Sequence, residues 1–396
     1  MYFKRICFFV ILFVTIPIFS QERELSPLSK ISLLTVGTAD ELHSKFGHTA
    51  IRIQDATNGL DIVFGYGGFN FEDPLFYSKF TTGKLDYSMT GHRYNQFLEG
   101  YKIENRWVRE QQLNLTVNQR NELFRFLQNN YKEENRYYKY DFLFDNCATK
   151  VPEVFKEVFG NNIEFDPGYL EKTSTFRQLI HETLKTNSWS AFGIDLALGS
   201  VIDREATPYE HQFLPLYVKE QFGNIQINGQ KLVAKEELVL NNKSIVKNND
   251  FFLSPLFWLI VFSVVILTIT YFDFKREKRL RWLDFILFLS TGIAGLLICF
   301  LWFATNHSAT KINFNMLWAF PTNLVVAFVL LKKKSSSSWI PKYLWFLLGL
   351  NVLTILLWVL KIQIFSPLII LILIALEIRF LFLIKYLRRS KSPITQ

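Results

Sequence analysis

The sequence predicts an α+β exported domain followed by a transmembrane domain of five helices. The first 20 residues have the pattern of a secretory signal, and apolar runs dominate the chain from Phe251 onward. Between these parts, short alternating strands precede amphipathic helices, an order typical of α+β folds. We therefore divide the chain into a signal peptide (1–20), an exported domain (21–250) and a transmembrane domain (251–390).

The signal peptide is predicted from residues 2–20, which read YFKRICFFVILFVTIPIFS. Lys4 and Arg5 precede a short apolar run, and a cleavage point follows Ser20. Because the apolar core is short, we interpret this segment as a secretory signal, with a retained N-terminal anchor as the alternative.

The transmembrane domain is predicted from five apolar runs, near 251–272, 283–305, 312–331, 341–361 and 366–386. Each is close to the ~20 residues that a helix needs to cross a bilayer. Lys and Arg cluster between the first two runs, after the third and after the fifth. Since basic loops stay in the cytoplasm, we predict a multi-pass protein of the inner membrane with residues 21–250 in the periplasm.

The positive charge of the chain is concentrated in its membrane part. Residues 21–250 hold 26 Lys and Arg against 31 Asp and Glu, a net of −5, whereas residues 251–396 hold 16 against 4, a net of +12. A nucleic-acid partner is not supported, because such a partner calls for a basic patch on the soluble domain.

The exported domain begins with segments that read as strands and continues with helices. The predicted strands cover 31–38, 48–53, 60–66, 84–90 and 106–115. In the second of them Ile51 and Ile53 share one face, and His48 and Arg52 share the other. A capping box, Thr116 with Gln119, predicts a helix start. A small hairpin is predicted at 226–232, and residues 235–250 are predicted to be a connection to the membrane.

Cys147 stands out in the segment YDFLFDNCATKV at 140–151. It is the only cysteine of the exported domain, since Cys7 lies in the signal and Cys299 in the second apolar run. It therefore has no disulfide partner within this domain. A free cysteine is either a small buried hydrophobe or a reactive thiol, and its count alone leaves both interpretations open.

The position of Cys147 favours a nucleophile. A helical pattern follows it, and the free N–H groups at a helix N-terminus lower a thiol pKa and hold an oxyanion. Asn146 could support this start as a helix cap. Pro152 leaves two alternatives, because it removes one helical bond if the helix begins at Cys147. The regular helix would otherwise begin near Pro152, with Cys147 on a tighter turn before it.

A thiol nucleophile needs a base, and histidine is the usual one. The candidates are His43, His48, His92, His181, His211 and His307. His48 opens a predicted strand in KFGHTAIRI, which is a rigid element able to hold an imidazole in place. The spacing of His43 and His48 does not suit a zinc site, and no metal site or cofactor is predicted.

The order of these elements resembles that of known thiol proteins. A histidine-bearing strand followed later by Asn-Cys at a helix start resembles the circularly permuted papain-like superfamily, which includes lecithin:retinol acyltransferase-like proteins. The segments SKFGHTAIRI, VFGYGGFNFEDPLFYSKFTTGKLDYSM, YKYDFLFDNCATKV and INFNMLWAFPTNL resemble the Lnb family of bacterial lipoprotein N-acyltransferases. The resemblance implies that Cys147 is the nucleophile and His48 the base, and that five membrane spans follow the thiol domain.

The implied reaction moves an acyl chain from a phospholipid, through a Cys147 thioester, to the N-terminal amine of a lipoprotein. A third polar group should orient His48, and Asp61, Tyr66 and Asp73 are the candidates. A cell-envelope thiol peptidase, a lipid hydrolase and a non-catalytic lipid-binding sensor are the alternatives.

The membrane part carries a polar cluster of its own. His307, Asn315, Trp318 and Asn323 lie with Asn313 and Pro321 at the outer half of the third predicted span. We interpret them as facing lipid, with either headgroup binding or interfacial anchoring as their role. Glu377 and Arg379 in the fifth span are costly in lipid and are predicted to face the helix bundle.

Overall fold

The structure is a computed structural model. It describes residues 24–39, 41, 44–242, 250–332 and 338–389. The predicted signal peptide at 1–20 and the candidate base His43 lie outside the described residues.

The periplasmic part contains ten strands and seven α-helices within the described residues. The strands are β1 (Lys30–Val36), β2 (His48–Asp55), β3 (Leu60–Gly68), β4 (Asp86–Arg93), β5 (Val108–Leu113), β6 (Tyr137–Lys139), β7 (Ile163–Glu164), β8 (Gln226–Ile227), β9 (Gln230–Lys231) and β10 (Val233–Leu240). The helices are α1 (Phe76–Thr81), α2 (Tyr94–Ile103), α3 (Val117–Asn130), α4 (Lys150–Phe159), α5 (Phe176–Thr183), α6 (Trp189–Ala197) and α7 (Pro215–Asn224).

Seven of the strands form one antiparallel sheet in the order β10-β5-β1-β2-β3-β4-β6. The predicted alternation of β2 is confirmed, because Ile51 and Ile53 belong to the core on the α3, α4 and α7 face of the sheet. Ala50 lies in the smaller core beneath α2 on the opposite face. Each isoleucine buried in this way contributes roughly 1.5–3 kcal/mol. Residues two apart from Ala50 therefore lie on the α2 face, which places His48 there.

Several local predictions are confirmed. Thr116 and Gln119 form both hydrogen bonds of the capping box at the start of α3. Strands β8 and β9 form the predicted hairpin. The prediction of a connection over 235–250 is wrong in its first part, because residues 233–240 form β10 and pair with β5 at the sheet edge. The many polar residues of β10 are compatible with an edge strand, where one side faces water.

The membrane part begins at α8 (Pro255–Arg276) and α9 (Arg281–Phe303) and continues with α10 (Asn323–Leu331), α11 (Ile340–Val359) and α12 (Ile369–Arg389). Of the described residues, α8, α9 and α11 form the three helices that are long and apolar enough to cross a membrane. The ion pairs of Arg379 with Asp273 and Asp284 lie inside this helix bundle. This confirms that Arg379 faces the bundle, because its side chain is fully buried.

The third predicted span is not one continuous helix. Two short 3₁₀ turns, Ser308–Thr310 and Phe314–Met316, precede the nine residues of α10. Gly295 of α9 allows this irregular backbone to approach, since a Cβ there would collide with the carbonyl oxygen of Ala319. The prediction of a bilayer-crossing helix over 312–331 is therefore wrong, since only its second half is helical. Apolar composition does not report the close helix crossing that breaks the helix.

Candidate active site

Cys147 lies on a tight turn that precedes α4. The side-chain oxygen of Asn146 accepts hydrogen bonds from the backbone N–H groups of Ala148 (2.7 Å) and Thr149 (3.0 Å). The Asn146 amide in turn donates to the carbonyl oxygens of Phe142 (2.7 Å) and Phe213 (2.9 Å). Asn146 is buried and so holds the thiol-bearing turn by four hydrogen bonds.

The regular helix begins at Lys150, between the two starts that Pro152 left open. The backbone N–H of Val151 donates to the Ala148 carbonyl in a tight i to i−3 bond of 3.2 Å. Pro152 then occupies the first turn of α4, where a missing N–H costs little because helix N-termini have no internal acceptors for these groups. Cys147 therefore precedes the helix by three residues and does not open it.

His48 is the first residue of β2, and it lies close to the end of β3. A Cβ at Gly65 would be 3.1 Å from Nε2 of His48, and a Cβ at Gly67 would be 3.5 Å from Cβ of Cys147. Residues two apart in a strand are separated by roughly 6.5–7 Å. The imidazole and the thiol side chain thus lie against the same stretch of β3, whose pairing with β4 is irregular between Gly65 and Gly68. Gly65 leaves the space for the imidazole, whereas Gly67 has a φ of +93°, which favours glycine at that position.

The thiol has a raised pKa. Burial raises the pKa of Cys147 to about 11, while the backbone N–H of Thr49, its own N–H and the charge of Arg106 offset part of that rise. Thr49 directly follows His48 in β2, so this contact also brings the sulfur to the beginning of that strand. The expectation that a helix N-terminus lowers this pKa is not met, since burial outweighs the N–H groups.

The imidazole has a lowered pKa. Burial lowers the pKa of His48 to about 4, and the positive charges of Arg106 and His92 act in the same direction. The Tyr101 ring lies 6.4 Å from the His48 ring, measured between centroids. At neutral pH the pair therefore consists of a thiol and an uncharged imidazole. Such an imidazole can accept the thiol proton as the sulfur attacks, which is general-base chemistry.

The three candidates for a third group are bound elsewhere. Asp61 accepts two hydrogen bonds of 2.8 Å from Arg52, and Asp73 pairs with Lys79 at 2.6 Å. The Tyr66 hydroxyl donates to Asn130 at 2.5 Å on the α3 side of the sheet. Each has a nearer partner than the imidazole, so the structure does not bring Asp61, Tyr66 or Asp73 to His48. Within the described part of the chain, packing rather than a hydrogen bond holds the His48 ring.

The remaining described histidines also have other environments. His181 contacts Asp195 at 2.9 Å, and buried His211 bonds the backbone of Ser174 and Thr207. His92 is exposed on β4, although its charge reaches His48. No group of three or more His, Cys, Asp or Glu is arranged to hold a metal ion among the described residues.

Sequence reasoning missed Arg106, which lies just before β5. Its Nε donates to the Gly37 carbonyl at 2.7 Å, its Nη1 pairs with Glu104 at 2.8 Å, and its Nη2 is buried with no partner among the described residues. The guanidinium also faces the Tyr101 ring at 4.8 Å. No local signal marks it, because an arginine before a strand is normally solvated. Gly65 and Gly67 did carry a signal, since glycine inside a strand indicates close approach of another group.

Two more polar atoms beside the thiol are buried without a partner in the described part of the chain, the Thr49 hydroxyl and the Tyr138 hydroxyl. Tyr138 is close enough to Cys147 that a thiolate there raises its pKa, in addition to the larger effect of burial. With Nη2 of Arg106, they give the site three polar groups available to a bound molecule. Buried polar groups without a protein partner are costly, and a bound ligand or water would satisfy them.

The polar residues of the third span do not face lipid. Asn315 donates to the Asp195 carbonyl of α6 at 3.0 Å and accepts from Trp318 Nε1 at 2.9 Å. Asn323 donates to Thr291 of α9 at 3.0 Å. The side chains of Asn315, Trp318 and Asn323 are all buried. Their polar atoms form hydrogen bonds with the irregular backbone or with other residues inside the bundle. Their predicted exposure to lipid is therefore wrong, and Asn315 instead joins α6 to the membrane part.

His307 occupies a different position, on the outer loop after α9. It is half-buried, and its Nε2 lies 3.2 Å from the Thr81 carbonyl oxygen at the end of α1. The backbone N–H of neighbouring Asn306 donates to the Thr82 carbonyl at 2.9 Å. His307 thus contacts the periplasmic part, so its predicted lipid-facing role is not supported.

Comparison with known proteins identifies the family. Residues 22–182 match the Lnb N-terminal periplasmic domain, and residues 247–391 match the Lnb transmembrane domain. No curated protein and no solved structure matches the chain. The two family matches are consecutive and cover both the thiol turn and the membrane helices. The chain therefore belongs to the Lnb family, as a membrane protein with a periplasmic segment.

Proposed function

We propose that this protein is a lipoprotein N-acyltransferase of the inner membrane, with Cys147 as nucleophile and His48 as base. The single observation that carries the proposal is the placement of the thiol and the imidazole against Gly65 and Gly67, at one end of the sheet. Membership of the Lnb family supports a membrane enzyme that modifies lipoproteins. The order of the His48 strand and the thiol turn also supports a permuted papain-like arrangement.

In the first half-reaction the Cys147 sulfur attacks the carbonyl carbon of a phospholipid ester. His48 Nε2 takes the thiol proton as the carbon–sulfur bond forms. The lysophospholipid alcohol leaves as the carbon–oxygen bond breaks, and it receives the proton from the imidazolium. The products are a Cys147 thioester, a lysophospholipid and an uncharged His48.

In the second half-reaction the α-amine of a lipoprotein's N-terminal lipidated cysteine attacks the thioester. The carbon–nitrogen bond forms, the carbon–sulfur bond breaks, and the amine proton returns to the sulfur through His48. Cys147 and His48 are half-buried, which limits the access of water that would hydrolyse the thioester. Nη2 of Arg106 supplies positive charge, and the backbone N–H of Cys147 supplies a hydrogen bond, to the oxyanion that forms in both steps.

The experiment replaces Cys147 with Ala in cells and measures the N-terminal acyl state of lipoproteins by mass spectrometry. Cys299→Ala is the matched control, because it removes the other described cysteine, which lies in α9. We expect N-acylation to be lost in Cys147→Ala and retained in Cys299→Ala. Unchanged N-acylation with stable Cys147→Ala protein would exclude the transferase.

The same strains distinguish the alternatives. A change in muropeptides without a change in lipoprotein acylation would indicate a peptidase. Loss of free fatty acid release, again with normal acylation, would indicate a lipid hydrolase. No change in any of these would indicate a non-catalytic sensor.

A further inference from the structure

An exposed group of aromatic and aliphatic side chains lies between β3 and β4. This aromatic segment comprises residues 69–80 and includes all of α1 except its last residue. Phe71 is 70 % exposed, Tyr77 80 % and Leu75 61 %. Contiguous apolar surface of this kind marks an interaction site on a protein.

The rings of the aromatic segment form one cluster. Phe69 and Phe71 lie 4.7 Å apart between ring centroids, and Phe71 and Phe76 lie 4.8 Å apart. Phe76 in turn stacks on Phe80 at 5.9 Å. Because the rings support one another and Phe76 is buried beneath them, the exposed rings are held in place as a continuous surface.

The end of the aromatic segment is attached to the membrane part. The carbonyl oxygens of Thr81 and Thr82 contact His307 and the backbone N–H of Asn306. Gly83 allows this contact, since its φ is +66° and a Cβ there would lie 3.2 Å from the His307 nitrogen. Asn306 follows the last residue of α9 by only three positions, so this contact lies at the periplasmic surface of the bilayer.

The beginning of the aromatic segment reaches the thiol. The Phe69 ring lies 5.6 Å from Tyr87, and Tyr87 stacks on Tyr140 at 4.4 Å. Tyr140 and the Cβ of Cys147 both border Gly67. A path of aromatic side chains therefore connects the membrane-proximal surface with the candidate nucleophile.

We propose that the aromatic segment inserts into the periplasmic leaflet and receives the acyl chains of a phospholipid of that leaflet. The exposed rings form an apolar surface, and charged Glu72 and the Asp73–Lys79 pair lie in the same segment. The segment is joined to the outer loop of the membrane part, which favours a phospholipid, with its apolar chains and charged headgroup, over a soluble protein. The identification of this lipid as the acyl donor rests on the proposed function. Insertion itself does not require catalysis.

The first test measures insertion in full-length protein in nanodiscs of phosphatidylethanolamine and phosphatidylglycerol. A nitroxide label is attached at Phe71→Cys or Tyr77→Cys in a Cys7→Ser, Cys147→Ala, Cys299→Ala background. Power saturation then compares contact with oxygen, which enriches in lipid, and with a water-soluble nickel chelate. Thr57→Cys is the control in water, because Thr57 is exposed in the turn before β3, at the opposite end of that strand.

We expect oxygen contact to dominate at 71 and 77, as at a label on Phe303→Cys at the exposed end of α9, and nickel contact to dominate at 57. Nickel contact at 71 and 77 equal to that at 57 would overturn the proposal. This background lacks Cys147, so the result does not depend on whether the protein transfers acyl groups.

The second test measures thioester formation with phospholipid vesicles in protein that retains Cys147. Phe71→Ser combined with Tyr77→Ser should slow this step about tenfold or more, because two large apolar contacts with lipid are lost. The rate at which iodoacetamide alkylates Cys147 should not change in the double variant. The single variant Phe71→Leu, which keeps Tyr77 and an apolar side chain at position 71, should form the thioester faster than the double variant. Equal thioester formation in the double variant and wild type would overturn the role in acyl uptake. If wild type forms no thioester, the proposed function fails while the insertion result stands.

Discussion

A Cβ at position 65 would lie 3.1 Å from Nε2 of His48, so the space that the imidazole occupies depends on a glycine in the neighbouring strand. Gly65 has an ordinary strand conformation with negative φ, because it is not among the residues with positive φ. Its role is therefore one of space rather than of backbone freedom. Gly67 beside the thiol differs, because its φ of +93° requires the backbone freedom of glycine.

Gly65→Ala should lower activity without lowering stability. The added methyl group displaces the imidazole by a few tenths of an ångström, and a misplacement of this kind costs roughly tenfold in rate. The apparent Tm should stay unchanged or rise, because alanine loses less backbone entropy on folding. Gly100→Ala in α2 is the control, since a Cβ there meets no atom within 4 Å. An unchanged acyl-transfer rate in Gly65→Ala would contradict this account of the site.

The pH dependence of thiol alkylation should lack a histidine step near pH 6.5. His48 has a pKa of about 4 and Cys147 a pKa of about 11, so the imidazole is uncharged above pH 4 and the rate should rise steadily towards alkaline pH. Arg106→Gln removes a positive charge that lowers both pKa values. Both pKa values should therefore rise in Arg106→Gln. The part of the rate–pH curve governed by His48 should move to higher pH, and alkylation near neutral pH should slow because less thiolate is present.

The measurement is the rate at which iodoacetamide alkylates the Cys299→Ala protein between about pH 4 and about pH 10. This range begins at the pKa of His48 and ends below that of Cys147. Arg109→Gln is the control, because Arg109 is a half-exposed arginine of the adjoining strand β5 that pairs with Glu236. A plateau between pH 5 and 8 would instead indicate a resting thiolate–imidazolium pair.

His48 should also make the protein sensitive to acid. Its folded pKa of about 4 lies below the ordinary 6.5, so the unfolded chain binds more protons between these values. Stability is fully present above pH 6.5 and is lost as the pH falls towards 4, by up to about 3 kcal/mol. The apparent Tm of full-length protein in detergent should fall less steeply over this range in His48→Gln than in wild type. Parallel curves of apparent Tm against pH in the two proteins would contradict a lowered pKa of His48 in the folded state.

Asn315→Ala should loosen the contact between α6 and the membrane part. It removes the bonds to the Asp195 carbonyl and to Trp318, and buried groups left without a partner cost about 1–3 kcal/mol. The apparent Tm should drop, whereas Thr322→Ala, which loses an exposed bond to Tyr343, should change it less. A loss of phospholipid binding with an unchanged Tm would instead revive a headgroup role for Asn315.

Arg379→Met should be strongly destabilising. Arg379 is fully buried and neutralises Asp273 and Asp284, so its removal takes a charge partner from Asp273 and leaves Asp284 with Arg279 alone, at 3.5 Å. Breaking a buried pair from one side costs about 3–5 kcal/mol. We expect a large fall in the amount of folded protein extracted in mild detergent. Exposed Arg388→Met should have little effect, and equal yields of the two variants would contradict the role of the buried network.

Features that depend on neighbouring residues were predictable from the sequence. The capping box at Thr116, the alternation of β2 and the apolar runs of the membrane part all arise from local patterns of polarity. The lone Cys147 and the strand that begins with His48 could be identified because they are rare residue types in recognisable contexts.

What the sequence could not determine was which distant groups meet. Arg52 neutralises Asp61 across the paired strands β2 and β3. Strand β5 pairs with β1, which brings Arg106 to the end of the sheet where β2 begins with His48. Asn315 satisfies a backbone carbonyl more than a hundred residues away in α6. Local sequence patterns predicted most of the strands and helices, and they identified Cys147 and His48 as the candidate nucleophile and base. Tertiary structure alone decided their electrostatics, because burial and charge depend on contacts between residues that are far apart in the chain.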